Sequence, residues 1–146
     1  MRSRVSKPPA PDRGGFETLT AFAPQPPKHG IGATVRVPLG RVAHARSGDK
    51  GGDANIGLWA VDAATRPDRV AWLIETVTPD VVRRLVPEAA GLDVEVHPLA
   101  NLAGVNVVLH GLLGDGVAAS SRFDPQAKAL GEWVRSRHVD VPEVLL

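Results

Sequence analysis

The run His44-Ala45-Arg46-Ser47-Gly48-Asp49-Lys50-Gly51-Gly52-Asp53-Ala54-Asn55 sits between a partly apolar extended stretch, Leu39 to Ala45, and the strand-like Ala54-Asn55-Ile56-Gly57-Leu58-Trp59-Ala60-Val61. A glycine-rich segment held between two extended, apolar segments reads as a strand-to-strand connection, so this part of the chain folds around a sheet. The run also gathers cations, carboxylates, a hydroxyl and an imidazole, which neither core packing nor simple solvation requires.

The flanking segments carry both helical and strand periods. Thr34-Val35-Arg36-Val37 alternates as a strand. After the cap chemistry of Thr65-Arg66-Pro67-Asp68, Val70, Leu73, Ile74 and Val77 recur at helical spacing. Thr78-Pro79-Asp80 opens a second, shorter helix with Val81, Val82, Leu85 and Val86 inward, closed by Pro87. Leu92 to His97 alternates as a half-buried strand that stops at Pro98. From Gly104 to Gly114 the β-branched cluster suits a strand, while the apolar spacing fits a helix ending at Gly114; the helix is the preferred assignment. Ser120-Ser121-Arg122-Phe123 suits a short strand. Asp124-Pro125 then opens a helix with Ala127, Leu130, Trp133 and Val134 on its inner face. Trp59, Trp72 and Trp133 are expected in the core. Strands and helices interleave irregularly, which predicts an α+β sandwich with helices packed on one face of a largely antiparallel sheet.

At 146 residues the chain has room for one core, placed at 34–137. Residues 1–33 read as a proline-rich, disordered extension, because too little apolar surface is present to offset the entropy of ordering. Within it, Phe16, Leu19 and Phe22 have near-helical spacing. Residues 138–146 are expected to form a loose tail. The net charge of +1, from 17 basic and 16 acidic residues, provides no field of one sign, so neither nucleic acid nor an anionic membrane is an expected partner. Without cysteine, disulfides, thiolate metal sites and a cysteine nucleophile are excluded. No apolar run approaches the roughly 20 residues of a spanning helix, and the expectation is a soluble, cytoplasmic protein.

The chemistry of the central run has two readings. Gly48, Gly51 and Gly52 permit backbone turns whose N–H groups cradle an anion, with Arg46 and Lys50 adding charge and Ser47 and Asn55 adding polar contacts. The spacing satisfies neither a Walker A loop nor GxGxxG. Asp49 and Asp53 flank Lys50, which favours their ionised form, and His44 at the entrance offers acid–base chemistry. The same residues also make an ordinary solvated hairpin loop. His97 and His110 read as structural histidines. No HxH or HExxH spacing supports convergence of His44, His97 and His110 on a metal, so no metal site and no cofactor is expected. Gly111, Gly114 and Gly116 form a second glycine-rich bend, which either faces the first or ends a helix. Ser120 and Ser121 lack a nucleophile elbow.

His44 to Gly51 followed by Asp53-Ala54-Asn55-Ile56-Gly57 resembles the hallmark of the C-terminal domain of the acyclic terpene utilisation protein AtuA. Similar stretches recur at Leu99 with Asn101-Leu102, Asn106 to Gly111, Leu113 to Gly116, and Ser121 to Asp124 with Lys128 and Leu130. The likeness covers about residues 37 to 136. It implies a ferredoxin-like fold and a setting in the breakdown of acyclic terpenes or related branched acids through coenzyme A thioesters. It carries over no reaction and no catalytic residue. Asp115 and Ala127 stand where the family's pattern has glycine, which bears on a bend and on the start of the last helix. In this likeness the chain is the small domain encoded alone, with a large AtuA-type subunit as partner and a small anionic ligand at the glycine-rich run. The alternatives are a self-contained hydratase, isomerase or hydrolase using His44, Asp49 and Asp53, and a non-catalytic oligomerisation or regulatory module.

Overall fold

The computed structural model describes residues 32–146. The expected extension, with Phe16, Leu19 and Phe22, lies outside the described residues apart from its last two positions. The four-stranded sheet is built from two hairpins. β2 (Ala43–Lys50) pairs with β3 (Asp53–Ala60), and β4 (Val94–Leu99) pairs with β5 (Gly104–Leu109). β3 and β5 join the hairpins in the order β2-β3-β5-β4, every pairing antiparallel. Between the hairpins run α1 (Pro67–Thr76) and α2 (Pro79–Leu85), and after them α3 (Leu130–Ser136). α1 covers β3 and β5, α2 covers β4, and α3 covers β2, all on one face. This is the α+β sandwich expected from the alternating periods.

The succession β3, helices, β4, β5, α3 follows the βαββα course of a ferredoxin-like unit. The strand beside β3 is β2, contributed from the preceding sequence. The strand that follows α3, β6 (His138–Pro142), pairs instead with β1 (Thr34–Pro38) in a separate two-stranded ribbon.

Period-two alternation explains the sheet. Ala54, Ile56, Leu58 and Ala60 of β3, together with Val105, Val107 and Leu109 of β5, are buried towards the helices. They meet Leu73 of α1, Val82 and Leu85 of α2, and Leu130 and Val134 of α3. Helix α2 is capped as its sequence announces: Thr78 Oγ1 accepts the Val81 N–H at 3.3 Å.

Five expectations are corrected. Gly104–Leu109 is a strand, because it lies between β3 and β4 and its valines pack in a sheet interior, where β-branched residues fit best. The segment after Arg137 is not loose. Val141 and Leu145 are fully buried, and the buried Arg69 donates to the carbonyls of Leu145 at 2.8 Å and Leu146 at 3.1 Å. Ser120–Phe123 forms no strand, and Phe123 is fully exposed. The last helix starts at Leu130, since Ala127 takes a left-handed φ of 52° that interrupts any helix begun at Asp124. Of the tryptophans only Trp72 packs against the core; Trp59 is 39% and Trp133 51% exposed.

Candidate functional site

The glycine-rich run is mostly strand. Its register pairs Gly48 with Asn55, Asp49 with Ala54 and Lys50 with Asp53, so Gly51 and Gly52 alone make the turn. Gly51 has φ +64°, a conformation open mainly to glycine. Gly52 is held by a close approach. Leu113 N–H donates to its carbonyl at 2.8 Å, and a Cβ on Gly52 would stand 2.2 Å from the Gly114 oxygen. The second glycine-rich bend, 111–116, therefore faces the first and follows a strand rather than ending a helix.

Strand alternation divides the run between the two faces of the sheet. Ala43, Ala45, Ser47 and Asp49 lie on the helix side. His44, Arg46, Gly48 and Lys50 lie on the open side with Asp53, Asn55, Gly57 and Trp59 of β3. The same alternation brings Asn106 and Val108 of β5, and Glu95, His97 and Leu99 of β4, to that open face. His110, one residue beyond β5, extends the row.

There the side chains form a continuous polar network. Asp53 Oδ1 accepts the Gly111 N–H at 2.7 Å, and Asp53 Oδ2 is 3.1 Å from His110 Nδ1. His110 Nε2 is 3.1 Å from Glu95 Oε1, and Glu95 Oε2 is 2.8 Å from His97 Nε2. The Gly111 N–H and the His110 ring hold the Asp53 carboxyl below the usual range. His110 and His97 do the same for Glu95. Glu95 and Asp53, one at each ring nitrogen, raise His110, because only an imidazolium can donate to both. Next to this chain Asn55 Nδ2 donates to Asn106 Oδ1, which leaves the Asn106 amide nitrogen and the Asn55 side-chain carbonyl oxygen without a hydrogen-bond partner among the described residues.

An apolar depression of about 450 Å³ adjoins Asn106. Gly57 and Gly104 lie along it, with Trp59, Leu99 and Leu102 beside them, and Leu102 is 64% exposed. The face thus offers an apolar patch, an amide pair, a carboxylate–imidazole chain and the exposed cations Arg46 and Lys50. Such a set can seat an apolar group, bind a carbonyl or carboxylate, and pass protons between carboxylate and imidazole.

The residues singled out from sequence are not all brought together. Asp53, Asn55, Arg46, Gly48 and Lys50 share the open face. His44 shares it at the far end, its ring 5.7 Å from that of Trp59 and about 20 Å along the sheet from Asp53. Asp49 lies across the sheet from both, half-buried on the helix side. Ser47 Oγ is occupied there, donating to Ala127 O at 2.6 Å and accepting the Gly131 N–H at 2.7 Å. His44, His97 and His110 do not converge, since His44 is on one edge strand and His97 on the other. Among the described residues Asp93, Glu95 and His110 each present a ligand atom, all within 4.8 Å of one another, and a cation there would compete with the His110 proton. Sequence reasoning missed Glu95 and Asn106 and set His97 and His110 aside as structural. Reading 104–109 as a strand would have aligned all four with Asp53 and Asn55.

A family model described as AtuA ferredoxin-like domain matches residues 37–140. No curated protein and no solved structure matches the chain.

Proposed function

The chain belongs to the AtuA ferredoxin-like domain family, and from that membership we propose that it acts as a small module whose open sheet face completes a site with a large AtuA-type partner. The substrate class is a branched acyl-CoA or carboxylate intermediate of acyclic terpene breakdown. The observation that supports this reading is the joining, on one face that no described element covers, of an exposed apolar depression to the Asn55–Asn106 pair and the Asp53–His110–Glu95–His97 chain. A lone folded domain gains nothing from exposing Trp59 and Leu102 beside charged groups, whereas a face that closes against a partner around a ligand does. Arg46 and Lys50, at the margin of the face, suit the anionic end of that ligand.

Size-exclusion chromatography with light scattering, on the full chain mixed with a purified large AtuA-type protein, tests the reading. A stoichiometric complex is expected, and it is expected to be lost when Arg46→Glu is combined with Asn106→Leu. Separate elution of the two proteins, or a complex indifferent to both changes, would refute it. Among the described residues no helix is long and apolar enough to cross a membrane.

A further inference from the structure

On the other side of the molecule, a crevice of about 630 Å³ opens between the β1–β6 ribbon and the helices. Arginines from three different elements line it: Arg36 from β1, Arg84 from α2, and Arg137 at the end of α3. Among the described residues only Arg36 has an acidic partner there, Asp140 at 3.4 Å, and that pair is exposed. Arg84 is exposed, and Arg137 lies 4.0 Å over the Trp133 ring with its Nε buried and without a hydrogen-bond partner among the described residues. His138, Thr76 and Ser136 complete the polar lining, while Val81, Leu85 and Val139 form an apolar side.

Thr76 and Ser136 are the last residues of α1 and α3, so two helix carbonyl ends also border the crevice. Their partial charges amount to roughly one negative charge together. Three guanidinium groups against Asp140 and those ends still leave a positive excess. A planar carboxylate engages one guanidinium fork, whereas a tetrahedral phosphate presents oxygens to forks arriving from several directions. The concave shape and a chain charge of only +1 favour a small molecule over an extended polyanion.

We propose that this crevice is a second ligand site, for a small phosphorylated molecule. Its phosphate is held among Arg36, Arg84 and Arg137, and its carbon portion lies against Val81, Leu85 and Val139. Isothermal titration of the full chain with inorganic pyrophosphate and, separately, with AMP tests the assignment. Saturable one-site binding of at least one probe is expected, weakened about tenfold in Arg84→Ala and abolished in Arg84→Glu, because a hydrogen bond to a charged group is removed and then replaced by repulsion. Arg84 is exposed, so both variants keep the fold, which circular dichroism checks. Lys128→Ala, an exposed cation outside the crevice, is expected to bind as wild type. Absence of saturable binding of both probes, affinities of wild type and Arg84→Glu within twofold, or an equal loss in Lys128→Ala would each overturn the proposal.

Discussion

Ser47→Ala separates a structural role for this hydroxyl from a ligand-holding one. Gly131 is the second residue of α3, and the residue before the helix, Ala129, makes no side-chain capping bond. Ser47 Oγ, reaching across from β2, accepts the Gly131 N–H and so does for α3 what an N-cap side chain does within one segment. Losing such an acceptor costs about 1 kcal/mol. The carbonyl of buried Ala127 loses its 2.6 Å donor and keeps the 3.4 Å contact from Leu130 N–H, which adds about 1–2 kcal/mol. The total, about 2–3 kcal/mol, is a large part of the roughly 5–15 kcal/mol that holds a domain together. With a urea slope of roughly 1.5 kcal/mol per molar, the unfolding midpoint should fall by roughly 1.3–2 M at an unchanged slope. The neighbouring Arg46→Ala, at an exposed position on the other face, should stay within about 0.5 kcal/mol of wild type. A Ser47→Ala protein equally close to wild type would refute the argument that this bridge fixes α3 to the sheet.

The carboxylate–imidazole chain predicts a pH signature. His110, raised above 6.5, contributes its full stabilisation below that value and loses it as pH climbs through the folded pKa. Asp53 and Glu95, lowered from 3.8 and 4.5, contribute above those values and lose their share as pH falls through their folded pKa. The melting temperature of wild type relative to His110→Gln should therefore be most favourable between about pH 5 and 6.5 and decline towards pH 9, and an equal difference at pH 6 and pH 9 would contradict this. Gly52→Ala should destabilise by about 1–3 kcal/mol or more, because its Cβ meets the Gly114 backbone at 2.2 Å, whereas Gly48→Ala, with open space above it, should be near neutral. Matching urea midpoints for the two variants would rule out the packed junction between the glycine bends.

Where one period dominated, the fold was legible from sequence. Val70, Leu73, Ile74 and Val77 mark α1, and Thr78-Pro79-Asp80 marks the start of α2 through the same Thr78 cap that the structure contains. Gly104–Leu109 was not legible because a strand in a sheet interior loses its alternation when small and β-branched residues occupy both faces, and Val105, Val107 and Val108 then also fit a helical stripe. β6 was hidden for a different reason. A five-residue strand that pairs with a segment about a hundred residues earlier leaves only a weak local signal. The delayed start of α3 had a readable sign in Ala127, which occupies a left-handed position that glycine fills more easily.

The site was half legible, and strand geometry accounts for which half. Treating residues 44–55 as a loop gives every polar side chain the same access to a ligand, but a paired strand sends neighbours to opposite faces. Arg46 and Lys50 thereby stand on the open side, while Ser47 and Asp49, one position from each, turn to the helix side. A single hairpin thus carries two separate demands: its odd-numbered β2 positions face the helices, and its even-numbered positions together with Asp53 and Asn55 furnish the candidate face. The second half of that face comes from β4 and β5, whose contributions, Glu95, His97, Asn106 and His110, have no spacing in common with the first run and meet it only through the β3–β5 pairing. A change in β3–β5 register by one residue would send Asn106 to the core side and leave Asn55 without its partner. The central pairing of the sheet is therefore what assembles the candidate site.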